Sequence, residues 1–399
     1  MKKILLVCML CAATLAAAER LKTTQPVNYL REGPASYYDV VAMIEGSVPV
    51  EVLERKGSWV KVRTEAKETG WLSENSFAKR AESKNEALTQ GKATSRASRA
   101  ELAAAVKGFA KKYVPEGEKE EEALNKYESR SFDQDEMDRF ENGFQVQQFR
   151  GYMAVEKPFD LTFHEDAIGL GIAQRIAANG LTTDRVSTAY VNMIANYLAK
   201  YTRAYDVTFR VAILADQKVN ALSCPGGYIF ITEGLLKRCT NEAELAAVIG
   251  HEMGHVIQRH GLRELNIRQP KIHAEAAFAE LEEDTGEPTE DEKELDQFAD
   301  EAYDNVVRPR LIEYELESDQ LAMTYLRRAG YDQTAELSIL SRLQEPLEKN
   351  DDIFSSNYMK KDDIRERIAK VKQTIQSERW KPDPKKQFSD RFKKYTTGM

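Results

Sequence analysis

The apolar positions of this chain change period along its length. Val48-Pro-Val-Glu-Val-Leu53 and Ser58-Trp-Val-Lys-Val62 alternate, a period of two that puts every second side chain on one face of a strand. Gly33, Gly46, Gly57 and Gly70 punctuate these runs as turns, so residues 20–80 are predicted to form a small all-β unit. Residues 81–100 are rich in Ser, Lys, Ala and Thr and lack a core pattern, which makes them a linker. Residues 101–150 form a strongly charged segment with helical spacing around Leu102, Val106 and Phe109. Within residues 151–399, helical stretches surround one short alternating strand that begins at Tyr228 and follows the turn residues Cys224-Pro225-Gly226-Gly227. The predicted fold class is α+β: a mostly helical domain with a small mixed sheet, preceded by a small all-β barrel.

The first residues have a different character. Lys2-Lys3, an apolar run from Ile4 to Leu15 and the small residues Ala16-Ala17-Ala18 predict a signal peptide over 1–18, cleaved near Ala18, and so an exported, periplasmic chain. Leu10 before Cys11 and Val7 before Cys8 argue against a lipoprotein box. No later stretch has the ~18 consecutive apolar residues of a membrane helix, so no transmembrane segment is expected in the mature chain. A net charge of -8 leaves no basic footprint for nucleic acid. The negative charge is concentrated in Glu280 to Asp304, read as a solvated loop between two helices or, if gating exists, a lid.

Candidate chemistry sits at His251-Glu252-Met253-Gly254-His255. The surrounding residues predict one helix, with Asn241 and Glu244 at capping-box spacing and Gly261 as its stop. On such a helix His251 and His255 lie one turn apart on the same face and can reach one ion. Glu252 projects about 100° round from His251, close enough to touch a bound water without being a ligand. Glu315 and Asp319 repeat the one-turn spacing in a second helical segment. One carboxylate can bind the metal while the other orients an imidazole. Glu313 and Glu317 compete with Glu315 as the third ligand. Three protein ligands leave an open position for water, which a zinc ion makes acidic enough to ionise near neutral pH.

These motifs resemble the gluzincin zinc metalloproteases that include the CAAX prenyl endopeptidases and HtpX, and most closely their soluble periplasmic BepA-like and LoiP-like branch. The resemblance spans about Phe159 to Leu343, including Glu165, Gly169, Tyr190-Val-Asn192, Asn220 and Ala329-Gly-Tyr-Asp332. It implies a zincin-type domain with one zinc ion per chain on His251, His255 and Glu315, with Glu252 as base and Asp319 as the acid behind a ligand. His260, common after the zinc helix in that family, is read as structural. Tyr29-Leu-Arg31-Glu-Gly33-Pro34, Gly57-Ser-Trp59 and Thr69-Gly70-Trp71-Leu72 resemble the bacterial SH3-like domain, whose members often bind cell-wall or envelope components.

Strand Tyr228–Thr232 is expected at a sheet edge, where an extended polypeptide adds as another strand; Asn220, Gly226, Gly227 and Tyr228 are the expected substrate-binding positions. Relatives carry a His-Pro before a C-terminal Arg-Ile, but here no His follows His273. Arg367, with Tyr358 second, is therefore the candidate oxyanion stabiliser, against a surface salt bridge as its simpler role. Cys224 and Cys239, the cysteines left after signal removal, are expected to pair in an oxidising compartment. The expected function is cleavage of unfolded or misassembled envelope proteins. Two alternatives stand beside it: a peptidoglycan-peptide hydrolase targeted by the SH3-like domain, and a non-catalytic envelope chaperone or adaptor.

Overall fold

The computed structural model describes residues 19–25, 27–78, 131–144, 159, 161, 163–264, 303–304, 306–349, 353–355 and 361–398. They fall in two compact units, one ending at Ala81 and the other starting at Glu82. The expected signal peptide, the linker, most of the 101–150 segment, all but the end of the acidic stretch, and Tyr358 lie outside the described residues.

The first unit is a six-stranded antiparallel sheet of β1 (Arg20–Lys22), β2 (Val27–Arg31), β3 (Val40–Glu45), β4 (Pro49–Lys56), β5 (Trp59–Arg63) and β6 (Thr69–Ser73), in the order β1-β4-β5-β6-β2-β3. Alternation sends Leu30, Ile44, Val50, Val60, Val62 and Leu72 into one core. Trp59 and Trp71 are also buried, whereas Tyr29 is exposed.

The second unit holds helices α1 (Gln134–Glu141), α2 (Phe163–Ala177), α3 (Arg185–Ala199), α4 (Glu233–Leu236), α5 (Glu242–Ile257), α6 (His260–Glu264), α7 (Ile312–Ala329), α8 (Ala335–Glu348), α9 (Lys361–Ser377) and α10 (Ser389–Thr396). They surround a three-stranded sheet of β7 (Arg210–Leu214), β8 (Ala221–Cys224) and β9 (Tyr228–Thr232). Its order, β7-β9-β8, corrects the edge expectation. Strand β9 is central, parallel to β7 and antiparallel to β8. All five of its residues are buried, as a strand covered on both faces requires, and its sequence alternation gave no sign of the second neighbour. The edge beside α5 is β8, and just before it Val219 makes a parallel bridge to Phe354.

Helix α5 is the element that positions the chemistry. Asn241 Oδ1 accepts from the Glu244 amide at 3.0 Å, as a cap should, while Glu244 Oε2 reaches one residue further back, to the Thr240 amide at 2.7 Å. The helix does not run to Gly261. It ends at Ile257, and Arg259 turns left-handed (φ 56°) before α6 starts at His260. A non-glycine residue there is strained by roughly 1 kcal/mol or more, and it is held by an ion pair to Glu165 of α2 and by stacking over Phe159.

Candidate metal centre

Helices α5 and α7 bring the site together because small residues line their contact. A Cβ added at Gly254 would lie 3.1 Å from Ser318 Cα, so any side chain there would push the two helices apart. The close approach sets the Nε2 atoms of His251 and His255 3.1 Å apart. It also sets Glu315 Oε2 3.3 Å from His251 Nε2 and Oε1 3.4 Å from His255 Nε2. Four ligands at about 2.0–2.1 Å on tetrahedral corners stand about 3.3 Å from one another. The three donors therefore fit the spacing of a single metal ion of that size. Glu313 and Glu317 are not in this set, and Glu317 meets His260 instead, at 3.1 Å.

The surroundings fix the charges. His251 Nδ1 lies 2.8 Å from Asp319 Oδ1, in the orienting position expected for that carboxylate. Burial and Arg367 press the His251 pKa down, but Asp319 and Glu315 outweigh them and raise it to about 10, so in the metal-free pocket it holds a proton that a metal must displace. His255, with less compensation for its burial, falls to about 4. Burial would raise Glu315, yet Arg367 and the two imidazoles hold it well below the usual carboxylate range. Glu252 moves up, chiefly through burial, with His251 opposing. Among the described residues Ser223 Oγ of β8 makes no hydrogen bond of good geometry, yet it lies close enough to favour the Glu252 carboxylate.

Arg367 is neither a surface residue nor a free cation. It is 4% exposed, and its guanidinium donates to both oxygens of Asp319 at 2.7 and 2.9 Å and to Glu315 Oε2 at 2.7 Å. Its pocket, about 70 Å³, is lined by Asn220, Ser223, His251, Glu252, Glu336 and Arg310 among others.

The remaining expected substrate positions separate. Asn220 reaches the pocket and Gly226 borders a neighbouring one beside His255. Gly227 backs onto Thr208, and Tyr228 lies in the hydrophobic core with Leu170 and Phe230. Cys224 and Cys239 are both free thiols, which corrects the disulfide. Cys224 is packed in that same core, whereas Cys239 Sγ faces the Leu235 carbonyl at 3.8 Å. Export alone does not bring two thiols together without the geometry of a bridge.

His260, Glu336 and β8 are the features that residue spacing missed. Five residues beyond His255, an uninterrupted helix would point His260 about 140° away from it. The left-handed Arg259 brings it back, to 2.9 Å between the two Nδ1 atoms. No local spacing hinted at Glu336, which reaches the site only through the packing of α8.

Two helices that present a His-Glu-His set and a Glu-Asp set to one ion-sized gap define a metalloprotease class of site. Residues 185–375 match the profile of peptidase family M48 and residues 27–78 that of the bacterial SH3 domain, so the chain carries a peptidase family M48 domain and a bacterial SH3 domain. It is 31% identical over 98 residues to the beta-barrel assembly-enhancing protease of Yersinia pestis, covering 25% of this chain and 20% of that protein. The protein of the same name from Escherichia coli strain K12 is 29% identical over 89 residues, 22% of this chain and 18% of the relative. The mitochondrial metalloendopeptidase OMA1 of Schizosaccharomyces pombe is 32% identical over 79 residues, 20% and 23% of the two chains. The matches thus span about a fifth of the length of these curated relatives.

Proposed function

We propose that this chain is a zinc-dependent endopeptidase of the bacterial envelope that cleaves unfolded or misassembled polypeptides. The observation that carries the reading is the ion-sized gap between His251, His255 and Glu315, with Glu252 in the same pocket and strand β8 forming one wall. A zinc ion held there would supply a Lewis acid and acidify a water at neutral pH. Glu252 is buried and its pKa is raised, which suits a group that takes a proton from water and returns it to the leaving amine. Main-chain groups of β8 recognise backbone rather than side-chain sequence, which favours extended, unfolded substrates. Arg367 is engaged by Asp319 and Glu315, which favours positioning over oxyanion binding. Loss of zinc rather than of kcat in Arg367→Lys tests that role. The envelope assignment draws on the N-terminal Lys2-Lys3 and apolar run, and on relatives named for beta-barrel assembly.

The bacterial SH3 domain favours a second reading, hydrolysis of peptidoglycan peptides. Digesting a denatured protein and purified sacculi side by side, with and without chelator, separates the two. The expected result is chelator-sensitive cleavage of the denatured protein alone, lost in Glu252→Gln while one zinc per chain is retained. Cleavage of sacculi alone would move the assignment to the cell wall. Cleavage of neither would favour a chaperone or adaptor.

A further inference from the structure

The left-handed turn at Arg259 returns the chain so that His260 faces the back of His255. The His260 ring has no exposed surface and stacks on Tyr314 with centroids 4.3 Å apart and planes at 10°. One ring nitrogen, Nδ1, is 2.9 Å from His255 Nδ1, with Ser318 Oγ at 3.5 Å, and the other, Nε2, is 3.1 Å from Glu317 Oε2. We propose that Glu317 and His260 act as a carboxylate–imidazole relay that holds the His255 ring for metal binding through Nε2 and sets the metal affinity of the site. The proposal rests on the metal-site reading above.

The protons allow one direction. His255 presents Nε2 to His251 and Glu315, so a ligand His255 carries its proton on Nδ1 and needs an acceptor there. His260 Nδ1 is that acceptor, which leaves the His260 proton on Nε2, donated to Glu317. The other ligand is built differently: His251 has the buried carboxylate of Asp319 directly behind it at 2.8 Å. His255 meets its carboxylate through a second ring, and the Glu317 side chain is 41% exposed. Glu317 is also barred from the ligand role it shared with Glu315 in the sequence, since two residues along α7 turn it about 200° away. The pairing with His260 gives Glu317 a different use.

Zinc affinity of the full chain, measured by competition with a chromogenic chelator, tests the relay without reference to activity. Orienting partners behind a ligand contribute about 10–100-fold in metal affinity. Glu317→Ala should weaken zinc within that range, Glu317→Gln, which keeps an acceptor but loses the charge, should weaken it less, and both should still saturate at one zinc. In a cobalt-substituted chain the d–d bands should shift in the same order. His260→Ala should weaken zinc as well, and adding Glu317→Ala to it should cost nothing more, because the two act in series. If His260→Ala does not fold, the half-exposed Glu317 series decides alone. Unchanged affinity and unchanged cobalt bands in the Glu317 variants would overturn the relay and leave the metal site standing. A wild-type chain that binds no zinc would overturn the site reading and the relay together.

Discussion

Three ionisable side chains behind the ligands, Arg367, Asp319 and Glu336, set the electrostatics of the site. Arg367 joins Asp319 and Glu315, and Glu336 Oε1 stands 3.9 Å from the same guanidinium while its Oε2 makes no hydrogen bond of good geometry among the described residues. A third carboxylate cannot ionise cheaply in this buried place. Burial first, then the Asp319 charge, push the Glu336 pKa up to about 8. An unfolded chain ionises it near 4.5. Between those two values the folded state binds more protons than the unfolded one, so stability falls as pH rises through that window. Glu336→Gln copies the neutral carboxyl and removes this slope. In thermal unfolding it should match the wild type near pH 4.5 and be more stable at pH 8; a gap that stays constant with pH would mean that Glu336 does not titrate there. At this scale the sequence was partly legible. One-turn spacing sufficed to pair His251 with His255 and Glu315 with Asp319, because helix geometry fixes those pairs locally. Arg367, Glu336 and His260 come to the site through α9, α8 and a backbone reversal, and no local period carries that information.

Helix-scale contacts hold the elements around the site to narrow tolerances. In α2, a Cβ on Gly169 would stand 1.8 Å from the Pro225 carbonyl oxygen, so the helix rests directly on the turn joining β8 to β9. That turn uses Gly226 and Gly227 at φ 83° and 96°, conformations that other residues rarely adopt. Gly169→Ala must therefore move backbone, with an overpacking loss of about 1–3 kcal/mol, and the shift passes to β8 beside Glu252. The expected outcome is a lower midpoint in denaturant together with slower proteolysis. A variant as stable as the wild type would show that α2 yields freely. Such contacts explain why elements were easier to read than their neighbours. The period of α5 and its Asn241 cap are local signals, but whether β9 lies at the edge or in the centre depends on β7, a strand eighteen residues earlier that its own sequence does not announce. The end of α5 was misplaced for a related reason. Gly261 is the residue best suited to stop a helix, yet tertiary partners on Glu165 and Phe159 hold the left-handed turn at Arg259 instead.

Across the whole molecule, each unit has its own core. The first sheet closes over Leu30, Val60, Val62 and Leu72, and every candidate ligand and base belongs to the second unit. The second unit also depends on residues well before its matched family region. Phe140 of α1 and nearby Phe144 pack on Tyr197 and on Arg391, and Arg391 pairs with the buried Glu242 that opens α5. A cut made after Phe144 would strip both phenylalanines from the start of the metal helix, whereas a cut near Glu101 keeps them. A chain starting near Glu101 should therefore fold, bind one zinc and cleave an unfolded model substrate at a rate close to that of the full chain. Starting it near Gln145 should destabilise the domain, because Arg391 loses Phe140 and Phe144. The residues 20–80 module would then serve location or substrate delivery, not peptide-bond chemistry. The comparison is made on kcat/KM for one denatured protein, with circular dichroism and zinc content measured on both chains. A loss beyond about tenfold, roughly 1.4 kcal/mol of transition-state stabilisation, with fold and zinc intact, would mean instead that the sheet domain completes the cleft.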